Sequence, residues 1–372
     1  LAARPEVDPT VFFMSDLGLK PSYVKGFGET IQWDRPVLDG YRSVFLENLS
    51  PRPRAGHPLS KIHPGFVNEL RRGGYDAVFL HGYAAATEWM AFAAARALRL
   101  PILFHGDVVV DSPKILTQSD FARELFRKRW CAGISAALAM STRAREFYAR
   151  YGVPDEKVFW VPLCVDNEYF MARAAELRPQ RDALRRELGL DPSRPVIVYV
   201  AHMRDKKRPM DIVRAHERMK VPASLVLVGG GPLFEEVRAY CASHRLAHVH
   251  PVGAKNQTEL PRYYAAADLF TLVSGPGEVT PLVIHEAMCF SLPLVLSDAI
   301  PSTIDFLHPG VNGATFPWGD LDRLAATLDD VLGDETRRRA MGEASRDIIS
   351  TWTYDAAVDG IVDALRAVAG PR

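Results

Sequence analysis

The sequence predicts an α/β protein built from two units, each a parallel sheet covered by helices on both faces. Two observations carry this. Short β-branched and aliphatic runs alternate with helical stretches from Gly65 onward, and a second alternation opens at Val196 after a charged connector. The length of 372 residues suits two domains of ordinary size.

The first unit begins with Thr10–Ser15 (TVFFMS), a buried strand by composition. Leu17–Tyr41 is rich in Gly, Pro and aromatics and reads as a surface excursion. Trp33, Asp34 and Tyr41 there either face a ligand or anchor the loop. A second excursion, Asn48–Pro64, carries His57 and His63, which are not spaced as metal ligands on a helix. Regular alternation follows: helix Phe66–Arg72, strand Ala77–Leu80, helix Ala84–Leu98, strand Pro101–Phe104, helix Ser119–Ala132, strand Ala137–Met140, helix Thr142–Tyr151 and strand Val158–Val161. His81 and His105 each follow a strand. Ligands of such sheets bind beyond the carboxyl ends of the strands, so both histidines are placed to face a cleft, with Asp107 beside the second. A structural role is the alternative for each. The basic, aromatic helix at Arg123–Trp130 (RELFRKRW) is either a solvated face or a peripheral contact with an anionic membrane surface.

Asp166–Leu190 reads as a charged helical connector. Beyond it come strand Val196–Ala201, a basic loop from His202 to Pro209, helix Met210–Met219, strand Ser224–Val228, the turn Gly229-Gly230-Gly231-Pro232 and helix Leu233–His244. Val249–Val252 is extended, Leu260–Ala266 helical, and Leu269–Val273 a strand. After the loop of Glu278 and its helix come strand Pro293–Ser297, a short helix Ser302–Leu307, extended Gly313–Pro317 and helix Asp320–Leu332. Glu335–Val368 is helical with a break at Ser350–Thr353.

Composition excludes several classes. Lys+Arg and Asp+Glu balance at 45 each, which argues against nucleic acid as a partner. The four cysteines show no CxxC pairing, so neither a disulfide framework nor a zinc site is expected, and a reducing cytoplasm is the simpler setting. No apolar run reaches the roughly 18 residues of a membrane span. The chain opens LAARPEVDPT, without Met or a signal-peptide pattern, and reads as starting partway through an element.

Three loops of the second unit carry chemistry. The first holds Arg204, Lys206, Lys207 and Arg208. The second is the glycine turn, whose missing side chains let a ligand approach the backbone. The third is GPGEVTPLVIHEAM, Gly275–Met288. Glu278 sits on a loop and Glu286 eight positions on, in the second turn of a helix opened by Pro281, which a first helical turn tolerates. The N-terminus of that helix suits a phosphate, and carboxylates on either side suit hydroxyls. An ordinary amphipathic helix with two solvated glutamates is the alternative. Cations, a glycine turn and a helix N-terminus together are what a diphosphate needs.

These segments resemble the retaining GT-B glycosyltransferases, specifically glycosyltransferase family 4, the "glycosyl transferases group 1" domain. Glu278 and Glu286 fit the E-x7-E motif, and EVTPLVIHEAM resembles EPFGLVxLEAM. LVLVGGGPL at 225–233 is similar to LxIVGxGPL, and YYAAADLFTLVS at 263–274 to YxxADxFVLPS. VPLCVD at 161–166 matches the VPNGVD hinge signature, and PGVNG at 309–313 the DGxNG turn. The resemblance covers most of residues 137–332. It implies a GT-B architecture: two Rossmann-like domains facing a central cleft, 1–165 on the acceptor side and 166–352 for the nucleotide sugar, with helix 353–372 packing back on the first. Its first strand and glycine-rich loop are not found in the N-terminal domain.

The resemblance also implies roles. Glu286 takes the nucleotide ribose and Glu278 the transferred sugar. Lys207, with Arg204 and His202, takes the diphosphate. Thr280, Pro281 and Leu282 meet the phosphates with backbone groups, Gly230 and Gly231 line the same donor site, and Gly253 and Lys255 flank the base. His105 stands over the sugar from the first domain as the second catalytic residue beside Glu278, and His81, Asp107 and Trp33 lie on the acceptor side. Domain closure brings His105 toward Glu278. The implied reaction moves a sugar, with retention and without a metal or other cofactor, from a UDP- or GDP-linked donor to a glycan, lipid or small-molecule hydroxyl. The high Ala and Arg content fits a bacterial source, and the expected place is the cytoplasm or the inner face of its membrane. Three departures stand out: His202 for an arginine, Pro281 for a glycine, and Asp298-Ala299-Ile300-Pro301-Ser302 without the usual glycines. The first two, with the first strand not found, leave a non-catalytic nucleotide-sugar-binding or scaffold protein as the alternative. A phosphosugar acceptor or a phosphorylase reaction on the same fold would need a phosphate cluster in the first domain, and the sequence offers none there.

Overall fold

A computed structural model of the chain describes residues 1–24, 29–31, 37–51, 57–108 and 120–369. The chain forms two compact units. One comprises Leu1–Ser22, Ile31–Leu163 and Asp355–Arg372, the other Tyr23–Thr30 and Cys164–Tyr354.

In the first unit β1 (Thr10–Phe13) precedes two short paired strands, β2 (Ser22–Val24) and β3 (Glu29–Ile31), which lie inside the stretch expected to be irregular and of which all but Ser22 and Ile31 belong to the second unit. Strand β1 itself pairs in parallel with β4 (Arg42–Phe45), apart from the main sheet. Strand β4 was not expected, because RSVF is too short to display a period of two. Phe12 anchors this pair by its edge-on contacts with Phe66 and Tyr75, at centroid distances of 4.9 and 5.9 Å. Then come α1 (Gly65–Arg72), β5 (Val78–His81), α2 (Ala86–Ala97), β6 (Ile102–His105), α3 (Asp120–Gly133), β7 (Ala136–Ala139), α4 (Thr142–Arg150) and β8 (Val158–Trp160). The four strands β5 to β8 lie side by side in chain order, all parallel. Alternation along β6 sends Ile102 and Phe104 into a core shared with Trp130 and Tyr148, and Leu103 into a separate core on the other face.

The second unit opens with α5 (Asn167–Leu177) and α6 (Arg181–Glu187). The expected single connector helix is broken between them, where Pro179 lies in a 3-10 turn and has no amide to donate. The Asn167 amide ties α5 to the carbonyls of Ile349 and Trp352, at 2.9 and 3.1 Å. Next are β9 (Val196–Val200), α7 (Pro209–His216), β10 (Ser224–Val228), α8 (Phe234–Ser243), β11 (Val249–Gly253), α9 (Leu260–Ala266), β12 (Leu269–Leu272) and α10 (Leu282–Cys289). They are followed by β13 (Leu294–Ser297), α11 (Thr303–Phe306), β14 (Gly313–Phe316), α12 (Leu321–Gly333) and α13 (Glu335–Ile349). The sheet order is β11-β10-β9-β12-β13-β14, parallel throughout. Every residue of β9, β10, β12 and β13 is buried, which explains their unbroken apolar runs. The chain winds outward from β9 through β10 and β11, then returns to β12 on the other side of β9. The topological switch point therefore lies between β9 and β12.

The last helix, α14 (Tyr354–Ala369), belongs to the first unit. Its Ile361 and Ala364 close the core around Leu103, Ala136, Leu138 and Val161. A Cβ on Gly360 would stand 2.0 Å from the Trp160 carbonyl oxygen, so only glycine lets α14 lie this close to β8.

Candidate active site

At the switch point the loops after β9 and β12 leave the same edge of the sheet and are knitted together. The Gly275 amide donates to the Lys206 carbonyl at 2.8 Å. Lys206 Nζ reaches the Gly277 carbonyl at 3.5 Å and Glu278 at the same distance. Lys207 makes the tighter contact, with Nζ 2.5 Å from Glu278 and both side chains about 10% exposed. The phenol of Tyr199, in mid-strand on β9, donates to the Lys207 carbonyl at 2.8 Å and fixes this loop from below. Burial draws the Lys207 amine below its ordinary range, against the pull of Glu278 in the other direction. The reading of two solvated glutamates is corrected: Glu278 and Glu286 are each only 8% exposed.

Arg208 turns the chain from the basic loop into α7 in the left-handed region, at φ 46°. Its guanidinium lies 5.3 Å from the Trp318 ring, and that ring leaves no room for a side chain at Gly275. Pro281 is extended and caps α10, so the helix starts one residue later, at Leu282. Among the described residues the amides of Leu282 and Val283 find no backbone acceptor, and the hydroxyls of Ser274 and Thr280 are buried without a partner.

Glu286 occupies the second turn of α10. Its carboxylate accepts a hydrogen bond from the Tyr264 phenol at 2.8 Å. Burial pushes its pKa up to about 7, with Tyr264 pulling the other way. The site thus offers a carboxylate that titrates near neutrality, a compensated lysine–glutamate pair and unfilled donors at a helix N-terminus. That set can hold a phosphate and several hydroxyls.

The glycine turn has a reason the sequence did not suggest. Gly229 and Gly231 have φ of 138° and 131°, and added Cβ atoms would stand 1.9 Å from the Ala201 oxygen and 2.6 Å from the Met203 oxygen. These glycines accommodate the chain's own β9 loop, not only a ligand. The Met203 amide donates to the Gly230 carbonyl at 2.7 Å, which aligns the two loops. His202 is half-buried and Arg204 exposed on the same segment. Gly253, at φ 75°, accepts from the Gly229 amide at 2.9 Å, and Lys255 lies 3.6 Å from Glu259.

In the first unit His81 and His105 are register partners on β5 and β6, with ring centroids 5.4 Å apart. Burial and the neighbouring His81 lower the His105 pKa to about 4, so its imidazole is neutral near pH 7. Its Nε2 is buried without a hydrogen-bond partner. Asp107 is exposed two residues beyond β6. Trp33, with Asp34, lies outside the described residues. Two residues of the site at the switch point went unmarked in the sequence, Tyr199 and Tyr264. The signal for the first was a phenol inside an otherwise aliphatic strand, which needs a hydrogen-bond partner.

Two parallel-sheet units flanked by helices give the two-domain α/β architecture of the GT-B fold. Two family models divide the chain: Glycosyltransferase Family 4 matches residues 6–169 and Glycosyl transferases group 1 matches residues 180–348. Between them the two models match most of the chain, which is related to this family. It is 30% identical over 252 residues to a GDP-mannose-dependent alpha-(1-6)-phosphatidylinositol monomannoside mannosyltransferase of Mycobacterium tuberculosis, a match covering 63% of this chain and 62% of that protein. A D-inositol 3-phosphate glycosyltransferase of Xylanimonas cellulosilytica is 26% identical over 313 residues, covering 78% and 72%. Among solved structures, Anabaena HepE in complex with UDP superposes with a TM-score of 0.69 at 16% identity, over 88% of this chain and 87% of that one. A glycosyltransferase of Rickettsia africae gives 0.70 at 14% identity, over 89% and 86%. Among the described residues no cluster of three or more His, Cys, Asp or Glu is placed to hold a metal ion, and no helix is long and apolar enough to cross a membrane.

Proposed function

We propose that this protein transfers a sugar from a nucleoside diphosphate sugar to a hydroxyl acceptor, with retention of anomeric configuration. The observation that carries this reading is the pairing of Lys207 with Glu278 beside Glu286 and the unfilled N-terminus of α10. Glu286 accepts hydrogen bonds from the ribose, and Glu278 from hydroxyls of the transferred sugar. Lys207, Lys206 and the amides of α10 face the diphosphate, with Arg204, His202 and Thr280 at the margin. The loop of Gly253 and Lys255 borders the base.

Retention follows from a reaction on one face of the sugar. The bond from the anomeric carbon to the diphosphate breaks as the acceptor oxygen bonds to that carbon, and the departing phosphate oxygen takes the acceptor proton. The protein then contributes positioning and charge stabilisation rather than a strong base. His105, neutral and with a free ring nitrogen, is the first unit's candidate for a contact with the reacting sugar. The names of the relatives, which include a GDP-mannose-dependent enzyme and a UDP complex, support UDP or GDP as the carrier. Phosphatidylinositol monomannoside and D-inositol 3-phosphate both occur in those names.

The test is a thermal-shift panel of UDP, GDP, ADP and dTDP followed by turnover with sugars of the stabilising nucleotide. One nucleotide should raise the melting temperature by several degrees through mass action. Substituting Glu278 by Ala should mainly lower kcat. Full activity in both the Glu278→Ala and Lys207→Ala variants would refute the assignment.

A further inference from the structure

At the other edge of the second unit's sheet, where β12 and β13 begin, lies a cavity of about 680 Å3. It is framed by the turn at Arg178, by Asp268 and Pro293 just ahead of the two strands, and by α13. Its charges are only partly matched. Asp268 already serves Arg181 at 2.7 Å, Arg185 at 2.5 Å and Arg338 at 3.6 Å, and accepts the Val196 amide besides. Arg339 pairs with Glu335 at 2.5 Å. Arg178 and Arg346 also line the cavity, and among the described residues neither side chain has an ion-pair or hydrogen-bond partner. Burial, and then the nearby guanidinium groups of Arg181, Arg346 and Arg339, weaken the hold of Arg178 on its proton despite Asp268. Glu343 and Asp347, one turn apart on α13, face the same space without a cation of their own.

A half-buried guanidinium among like charges is costly unless an anion joins it, and a planar pair of donors suits phosphate. The cavity lies in the size range of small-ligand sites, roughly 300–1,000 Å3, and exceeds what a bare phosphate needs. Its two free carboxylates would repel phosphate but accept hydroxyl hydrogens. We propose that this cavity binds a phosphorylated polyol or sugar, with the phosphate on Arg178 and Arg346 and the hydroxyls on Glu343 and Asp347. It lies on the edge opposite the Lys207 loops and would act as a second, non-catalytic site.

The experiment is titration calorimetry and thermal shift on the full chain at constant ionic strength, with glucose 6-phosphate, inorganic phosphate and glucose as probes. Wild type should respond to the ester, more weakly to phosphate, and not to glucose. The Arg178→Gln/Arg346→Gln pair should lose at least tenfold in affinity for the ester, with a ligand-free melting temperature equal to or above wild type. A purely structural role would lower that temperature. The Glu343→Gln/Asp347→Asn pair should bind ester and phosphate alike, and Lys207→Ala should leave the ester response intact. The proposal is overturned by an unresponsive wild type, by an undiminished response in the arginine variant, or by loss of the response in Lys207→Ala, which would place the phosphate at the donor loops. An equal wild-type response to ester and phosphate would overturn the polyol part.

Discussion

Glu286 makes the sharpest prediction at the scale of one side chain. Its folded pKa, about 7, lies above the ordinary carboxylate value. The folded state therefore holds a proton that the unfolded state has released. The stability this group contributes is fully present below about pH 4.5 and is lost as pH rises through 7. The proposed contact with ribose hydroxyls needs the ionised form, so nucleotide affinity should move the other way. It should weaken about tenfold per unit as pH falls below 7. Measured affinity from pH 5.5 to 8.5 should show this slope in wild type and a flat line in Glu286→Gln.

Its neighbour His285 is wholly buried against Phe306 and Trp352, with both ring nitrogens unpartnered and a pKa lowered to about 3 by burial. Its unfolded form takes a proton below about pH 6.5, so its contribution to stability declines from there toward pH 3. Substituting His285 by Leu removes an unsatisfied polar group. It should raise the denaturation midpoint and lessen acid sensitivity, and a drop in stability would show a partner or role for the ring. Lys207→Ala should act oppositely. It leaves buried Glu278 with only the longer contact to Lys206, at a cost of about 1–3 kcal/mol in urea unfolding.

Among the elements, the glycine turn after β10 and the helix α10 together set the geometry of the loops. Gly229→Ala should destabilise by more than about 3 kcal/mol, since the Ala201 carbonyl 1.9 Å away is backbone and cannot swing aside. The reading of this turn shows what sequence could and could not say. The pattern GGGP announced a special backbone. Whether it yields to a ligand or to another loop depends on a contact with residues nearly thirty positions earlier. The strands of the second unit were legible because all-buried parallel strands are uninterrupted apolar runs. Glu278 and Glu286 were legible because their spacing is local. Tyr264 was not, since its bond to Glu286 joins two helices 22 positions apart. Likewise β4 was hidden by its length, and the broken connector by a proline set among good helix formers. Of the candidate residues in the first unit, the neighbouring strands β5 and β6 bring His81 and His105 together. Their spacing of 24 positions gave no hint of that pairing.

For the whole chain, the governing fact is that the first unit is built from both ends of the sequence. Ala364 of α14 is completely buried in the core that covers one face of β6 and β7. Ala364→Asp should therefore destabilise the first unit by several kcal/mol. Proteolysis of that variant should release a resistant fragment spanning Cys164–Tyr354. Equal resistance of the two units would argue that α14 adds little. The same connectivity has a consequence during synthesis. When Leu163 leaves the ribosome, the sheet face lined by Leu103, Ala136 and Leu138 has no cover, and the roughly 190 residues up to Asp355 must be made first, about 10–40 s at ordinary translation rates. For that interval the nascent chain carries an open apolar surface. The first unit to start emerging is then the last to finish, a natural client for a chaperone that holds unfinished chains.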